Sequence, residues 1–206
     1  YFFFDKNSPH YVADLKHMDM EFTAHPYHDH FTSADLREVH RLAAQQIRKY
    51  GIDYHSSEWC LLPTTKQYGG ITADWCKGNH ADIQGALMMA RIMHSDFVDS
   101  DAVSWCYWKG MELRGDHALV ALHATDGDIH KGGYATSNKM LWALGNFSRF
   151  VRPGYVRVAL DGADDLDTLA GTAFMSADGS RLVAVFINSS FEDIPVEIAL
   201  PKAYRK

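Results

Sequence analysis

The feature that most restricts this chain is a rhythm that stops. Residues 19–151 alternate strand and helix three times, and residues 155–200 then carry only short alternating strands. "DMEFTAHPY" (19–27), "IDYHSSEWC" (52–60) and "AVSWCYW" (102–108) read as strands. The first helix, "SADLREVHRLAAQQIRKYG", puts Leu36, Val39, Leu42, Ala43, Ile47 and Tyr50 on one face. Ser33 is placed to cap its start, with Asp35 and Glu38 in the early turns, Arg48 and Lys49 in the last, and Gly51 as its stop. A second helix spaces Ile83, Leu87, Ala90, Met93 and Phe97, and a third runs over 137–151 to Pro153-Gly154. Three such pairs in succession predict a parallel sheet with crossover helices. Long loops follow the last two strands, where a barrel carries its active site.

The second segment predicts an antiparallel arrangement. "YVRVAL", "TLAGTAFMS", "RLVAVFIN" and "IPVEIAL" alternate, and Asp178-Gly179 supplies a turn between the second and third. The expected fold class is therefore α/β. Residues 1–153 form the C-terminal strands and helices of a catalytic (β/α)8 barrel, and 154–206 the start of a β-sandwich side domain. Three units of an eight-unit barrel cannot close, so the chain reads as part of something larger.

Charge narrows the partners. There are 20 basic and 26 acidic residues and no basic run longer than two, which excludes the clustered positive footprint of a nucleic-acid binder. No apolar run approaches the ~18 residues of a membrane span. Three cysteines (Cys60, Cys76, Cys106) are too few for a disulfide scaffold, although Cys60 and Cys76 are able to pair in an oxidising compartment. His25, His28, Asp29 and His30 crowd one stretch, but strand alternation splits them and the spacing matches no zinc helix, so neither metal nor cofactor is expected.

Glu58 ends the second strand beside Trp59. A glutamate there is either structural or chemical. A carboxylate at the mouth of a parallel sheet suits attack on an anomeric carbon. Trp105 and Trp108 on the next strand, with Trp59 and the loop residue Trp75, favour the chemical reading, because sugar C–H faces stack on aromatic rings. Tyr27 and His25 are placed to donate hydrogen bonds to the Glu58 carboxylate. Ser56 and Ser57 lack the Gly-x-Ser-x-Gly elbow of a serine nucleophile.

Four stretches resemble glycoside hydrolase family 30, in its branch similar to endo-β-1,6-galactanases: "FFFDKNSPHYVADLKHM", "TAHPYHDH", "SSEWC" and "LWALGNFSRFVRPGYVRV". The last is the most specific, as it looks like that family's junction between barrel and sandwich. The resemblance implies a retaining endo-β-glycosidase, secreted or periplasmic, acting on a polysaccharide such as β-1,6-galactan. It makes Glu58 the nucleophile on the seventh barrel strand, with Tyr27 and His25 from the sixth beside it and Trp105 and Trp108 in the aromatic region of the eighth. Its general acid/base, a glutamate on the fourth strand, has no counterpart here, since the chain is expected to begin between strands five and six. Glu112 is the only local substitute. The rival readings are a non-catalytic carbohydrate-binding protein using the same cleft, a metal hydrolase built on His25, and glucosylceramidase-like, xylanase-like or β-1,6-glucanase-like hydrolases. The loop "TTKQYGGITADWCKGNHAD" is expected to shape one side of the cleft.

Overall fold

A computed structural model describes residues 3–17, 19–27, 32–61, 83–113 and 118–200. Among them, β1 (Glu21–Ala24), β2 (Asp53–Trp59) and β3 (Ser104–Tyr107) form a parallel sheet in sequence order, with α1 (Ser33–Tyr50) and α2 (Ile83–Val98) as the crossovers. A second sheet joins β4 (Met111–Leu113), β5 (Val120–Ala124) and β6 (Gly133–Ser137), with β4 parallel and β6 antiparallel to β5. After α3 (Lys139–Ser148) comes an antiparallel sheet of β7 (Val156–Val158), β8 (Leu169–Met175) and β9 (Leu182–Asn188). The architecture is mixed α/β with three small sheets.

Local signals account for the helix ends. The cap of α1 is Thr32 rather than the expected Ser33: the Thr32 hydroxyl accepts from the Asp35 N–H at 3.2 Å. Ser33 instead turns its hydroxyl to Asp167. Gly51 closes the helix in the left-handed conformation, φ 63°, and its N–H reaches the Arg48 carbonyl. The buried face of α1 is Leu36, His40, Ala44 and Ile47: Leu36 and Ile47 hold the expected stripe, His40 and Ala44 take the places expected for Val39 and Ala43, and Leu42 is exposed.

α2 is buried over almost its whole length, from Gly85 to Asp96, because two sheets need it. Met89, Ile92 and Met93 share one core with Trp59 and with Leu166, Ala170, Phe174 and Val185 around the third sheet. Its polar residues are joined to both sides. His94 Nδ1 lies 2.9 Å from Thr172 Oγ1 on β8, and burial pushes this histidine down to about 4. Asp96 faces the parallel sheet, accepting from Trp105 Nε1 at 2.9 Å and from the Tyr54 hydroxyl at 3.4 Å. Arg37 ties α1 to Asp99 past the end of α2 and to Asp164 before β8.

Two expectations change. The polar stretch 109–134 holds the second sheet, whose strands of three to five residues are too short and too uniformly half-exposed to show a period-two pattern. Residues 194–200 do not make a fourth strand: Pro195 brings no N–H to a ladder, and most of the segment is exposed.

Asp96 generates a pH prediction. Burial pushes its carboxyl up to about 7, against the opposing pull of hydrogen bonds from Trp105 and Tyr54. An unfolded aspartate titrates near ~4, so the folded chain holds this proton more tightly. The stability from neutral Asp96 is complete below ~4 and is lost as pH rises towards ~7. Asp96→Asn cannot ionise. Its deficit in urea midpoint relative to the wild type is expected to be larger at pH 5 than at pH 8, and a deficit that does not change with pH contradicts this account.

Candidate active site

The side chains singled out in the sequence come from one end of the parallel sheet. His25 and Tyr27 follow β1, Glu58 lies on the last turn of the β2 pleat, and Trp108 follows β3 directly. Trp108 is held there by its N–H, which donates to the Trp59 carbonyl at 2.8 Å.

A shift in register aims Glu58. Ser56 pairs with Trp105 and Trp59 with Tyr107, so three residues of β2 oppose two of β3. Before the shift, Tyr54 and Ser56 point at α2 and are buried. Unbroken alternation would send Glu58 after them into that core. The extra residue reverses the order, as a bulge does. Trp59 takes the core position, 0% exposed and 6.1 and 6.2 Å from the rings of Trp105 and Tyr107. Glu58 turns to the opposite face and keeps 24% of its side chain exposed.

On that face Glu58 is gripped by one oxygen. The Tyr27 hydroxyl donates to Oε1 at 2.8 Å, and His25 Nδ1 lies 3.5 Å from the same atom. Burial, reinforced by hydrogen bonds with Glu58 and Cys60, raises the Tyr27 phenol far above its ordinary range, so it remains a donor. Cys60, two residues beyond Glu58 and buried, brings its Sγ within 3.7 Å of the same hydroxyl. The deeper part of the face is polar too, with His55 Nδ1 2.7 Å from Ser104 Oγ.

The expected aromatic platform is corrected at Trp59. Its ring has no exposed surface, because the register shift makes it a core residue. Trp105 is partly buried and commits its N–H to Asp96 on the α2 side. Trp108 is the exposed member at 48%, with Lys109 Nζ 5.5 Å from its ring centroid. Glu112 is ion-paired with Lys109. Trp75, Cys76, the loop 62–82 and the trio His28, Asp29 and His30 lie outside the described residues. Among the described residues, no group of three or more His, Cys, Asp or Glu is arranged to hold a metal ion. Sequence reasoning missed Cys60 as a neighbour of Tyr27. Its spacing of two from Glu58 was the available signal.

The two tryptophans should part company on substitution. Trp59→Ala is expected to cost about 3–5 kcal/mol of stability. Trp108→Ala should stay within about 1 kcal/mol of wild type. Denaturation midpoints of the two variants check this. Equal stability losses would remove the distinction.

Comparison with known proteins supplies the family. A segment of 74 residues, 36% of this chain and 14% of the relative, is 42% identical to the lysosomal acid glucosylceramidase of Mus musculus. A conserved exported protein from Bacteroides fragilis superposes with a TM-score of 0.76 at 25% identity, covering 93% of this chain and 40% of its own. The catalytic domain of GH30 xylanase C from Talaromyces cellulolyticus gives 0.45 at 22% identity over 72% of this chain and 35% of its own. The chain thus spans well under half the length of each of these proteins. The model of O-glycosyl hydrolase family 30 matches residues 1–117, more than half of the chain, and the protein therefore belongs to that family.

Proposed function

We propose that this polypeptide carries the nucleophile side of a retaining β-glycoside hydrolase, with Glu58 as the nucleophile. The observation that carries the reading is the grip on Oε1 by Tyr27 and His25 at the carboxyl end of a parallel strand. With Oε1 held, Oε2 is the oxygen that attacks the anomeric carbon. The bond from that carbon to the leaving oxygen breaks as Oε2 forms a glycosyl ester, and a second carboxyl group gives the leaving oxygen its proton. The same group then takes a proton from water, which attacks the anomeric carbon and releases Glu58. Such an acid stands about 5–5.5 Å from the nucleophile. Glu112, already paired with Lys109, is a poor candidate, and we assign the role to a glutamate outside this sequence.

The three parallel strands are then the sixth, seventh and eighth of a (β/α)8 barrel, with residues 154–206 entering a β-sandwich. Activity at the carboxyl ends of the strands fits that architecture. Trp108 is the exposed ring for stacking a sugar. Export, expected from the sequence, is supported by the likeness to an exported bacterial protein. No helix among the described residues is long and apolar enough to cross a membrane.

On specificity, β-1,6-galactan rests on the sequence resemblance alone. The identity with a glucosylceramidase favours a second reading, a β-glucoside. The complete enzyme is to be exposed to activated 2-fluoro-galactoside and 2-fluoro-glucoside, followed by intact-mass and peptide analysis. One glycosyl adduct on Glu58 is expected, and the sugar that labels faster names the specificity. Glu58→Gln should lose about 10³-fold or more of turnover while still binding oligosaccharide. Ordinary activity in that variant would make the assignment wrong, and binding without any adduct in the wild type would favour a non-catalytic carbohydrate-binding protein.

A further inference from the structure

The second sheet carries an aromatic pair outside the set of groups around Glu58. Tyr134 on β6 stands opposite His123 on β5, and their rings stack with centroids 4.5 Å apart and an interplanar angle of 12°. Because β6 is the edge strand, the imidazole backs one face of the phenol ring and the other face looks off the sheet. Tyr134 is 67% exposed. A single tyrosine on a surface is ordinary, but this one is held in place. His123 Nε2 lies 2.9 Å from Thr136 Oγ1, which pins the backing ring. Gly133, just before Tyr134, lets the two strands close tightly at this point: a Cβ there would collide with the His123 carbonyl oxygen.

The pair is continuous with the candidate active site. Trp108 follows β3 directly and leads into β4. Lys109 Nζ lies 5.5 Å from the Trp108 ring centroid and is ion-paired with Glu112 on β4. Glu112 is in register with Ala121 on β5, and Ala121 with Thr136 on β6. Partners in register share a face of a sheet, as do residues two apart on one strand. Glu112, Ala121, Thr136, His123 and Tyr134 therefore lie on one face, and the methyl group of Ala121 makes its low middle. A run of contacts thus joins Trp108 at one end to Tyr134 at the other.

Size and chemistry say what such a face receives. From Glu112 to Tyr134 is two strand spacings across and two residues along, about 12 Å between backbones. That exceeds one sugar ring and suits a short chain of them. The C–H faces of the sugars stack on the exposed rings at either end, and their hydroxyls meet the Lys109–Glu112 pair and the Thr136 hydroxyl between. We propose that Tyr134, backed by His123, is a distal subsite that holds an oligosaccharide away from the point of cleavage, so that this face favours long glycans over short ones. Tyr134 touches no reacting atom. Its link to turnover rests on the reading of Glu58 as a glycosidase nucleophile, whereas the binding itself does not.

The test uses the complete protein with Glu58→Gln to prevent turnover. A disaccharide and a hexasaccharide of the β-1,6-galactan series, and the same pair of the β-glucan series, are titrated into it calorimetrically. In the series that binds, the hexasaccharide is expected to bind more tightly than the disaccharide. Tyr134→Ala should lower that affinity ratio ~3- to 10-fold, and Tyr134→Phe, which keeps the ring, should restore it. An unchanged ratio in Tyr134→Ala overturns the inference, as does the failure of both hexasaccharides to bind. A lower denaturation midpoint with an unchanged ratio would mean that another part of the protein, or a second copy, covers the ring, and overturns it equally. Labelling of the wild type by the activated 2-fluoro glycosides engages one sugar and reports on Glu58 alone. A missing adduct would remove the nucleophile reading and leave the affinity ratio standing, whereas a normal adduct with an unchanged ratio would remove the distal subsite alone.

Discussion

Glu58 and Trp59 are adjacent on one strand and require opposite environments. An indole belongs in the core, where its burial supplies several kcal/mol, and an ionised carboxylate does not, because leaving water without partners costs more than that. Regular alternation offers one face to each, but the phase set by Tyr54 and Ser56 assigns them the wrong way round. The extra residue between Ser56 and Trp59 corrects the phase. Everything at this end of the sheet follows from it: Trp59 under Trp105 and Tyr107, Glu58 within reach of Tyr27 and His25, Cys60 behind Tyr27, and Trp108 bonded to the Trp59 carbonyl.

Beneath that arrangement, α2 acts as a shared wall. A helix serving a single sheet has one apolar stripe and one wet face. α2 serves two, and its polar residues are correspondingly matched to partners on both. Asp96 receives Trp105 and Tyr54 from the parallel sheet, and His94 meets Thr172 from the antiparallel one. Around the rim, Arg37 spans Asp99 and Asp164, while Arg48 and Arg157 converge on Asp101. Asp101 shows the balance of terms: burial pushes its carboxyl up, but the hydrogen bonds from Arg48 and Arg157 outweigh it and the net movement is down. The strand that carries Glu58 therefore sits on a backing that resists displacement.

What the sequence disclosed and what it withheld divide along a physical line. Local periodicity and end signals were legible: α1 with its Gly51 stop, α2, α3, the parallel strands and the Asp178-Gly179 turn. The proximity of Tyr27, His25 and Glu58 was legible as well, since parallel neighbours bring their carboxyl ends together. The register shift was not, because the chemistry that selects it, Trp59 against Trp105, is a contact between strands 46 residues apart in the numbering of the chain. That is why Trp59 was expected beside a sugar and is found in the core. The cap moved from Ser33 to Thr32 for a similar reason, since Asp167, far along the chain, takes the Ser33 hydroxyl. The sheet over 111–137 was hidden because its strands are held by edge pairing and not by an apolar face.

The charges divide by their place in the fold. Arginine is the residue best suited to grip a carboxylate, and Arg37, Arg41, Arg48, Arg91 and Arg157 are each ion-paired with an aspartate in the framework. Among the described residues at the carboxyl end of the sheet, Glu58 meets a different set of partners, the Tyr27 hydroxyl and the His25 imidazole, with the Cys60 sulfur behind the phenol. The framework carboxylates are thus fixed by bidentate or paired guanidinium contacts that hold elements together, whereas Glu58 is held by these groups through one oxygen only. Its second oxygen has no partner among the described residues, on a side chain that keeps 24% of its surface exposed. The framework behind the strand is anchored by ion pairs, and the end of the strand presents a carboxylate that is oriented but not enclosed.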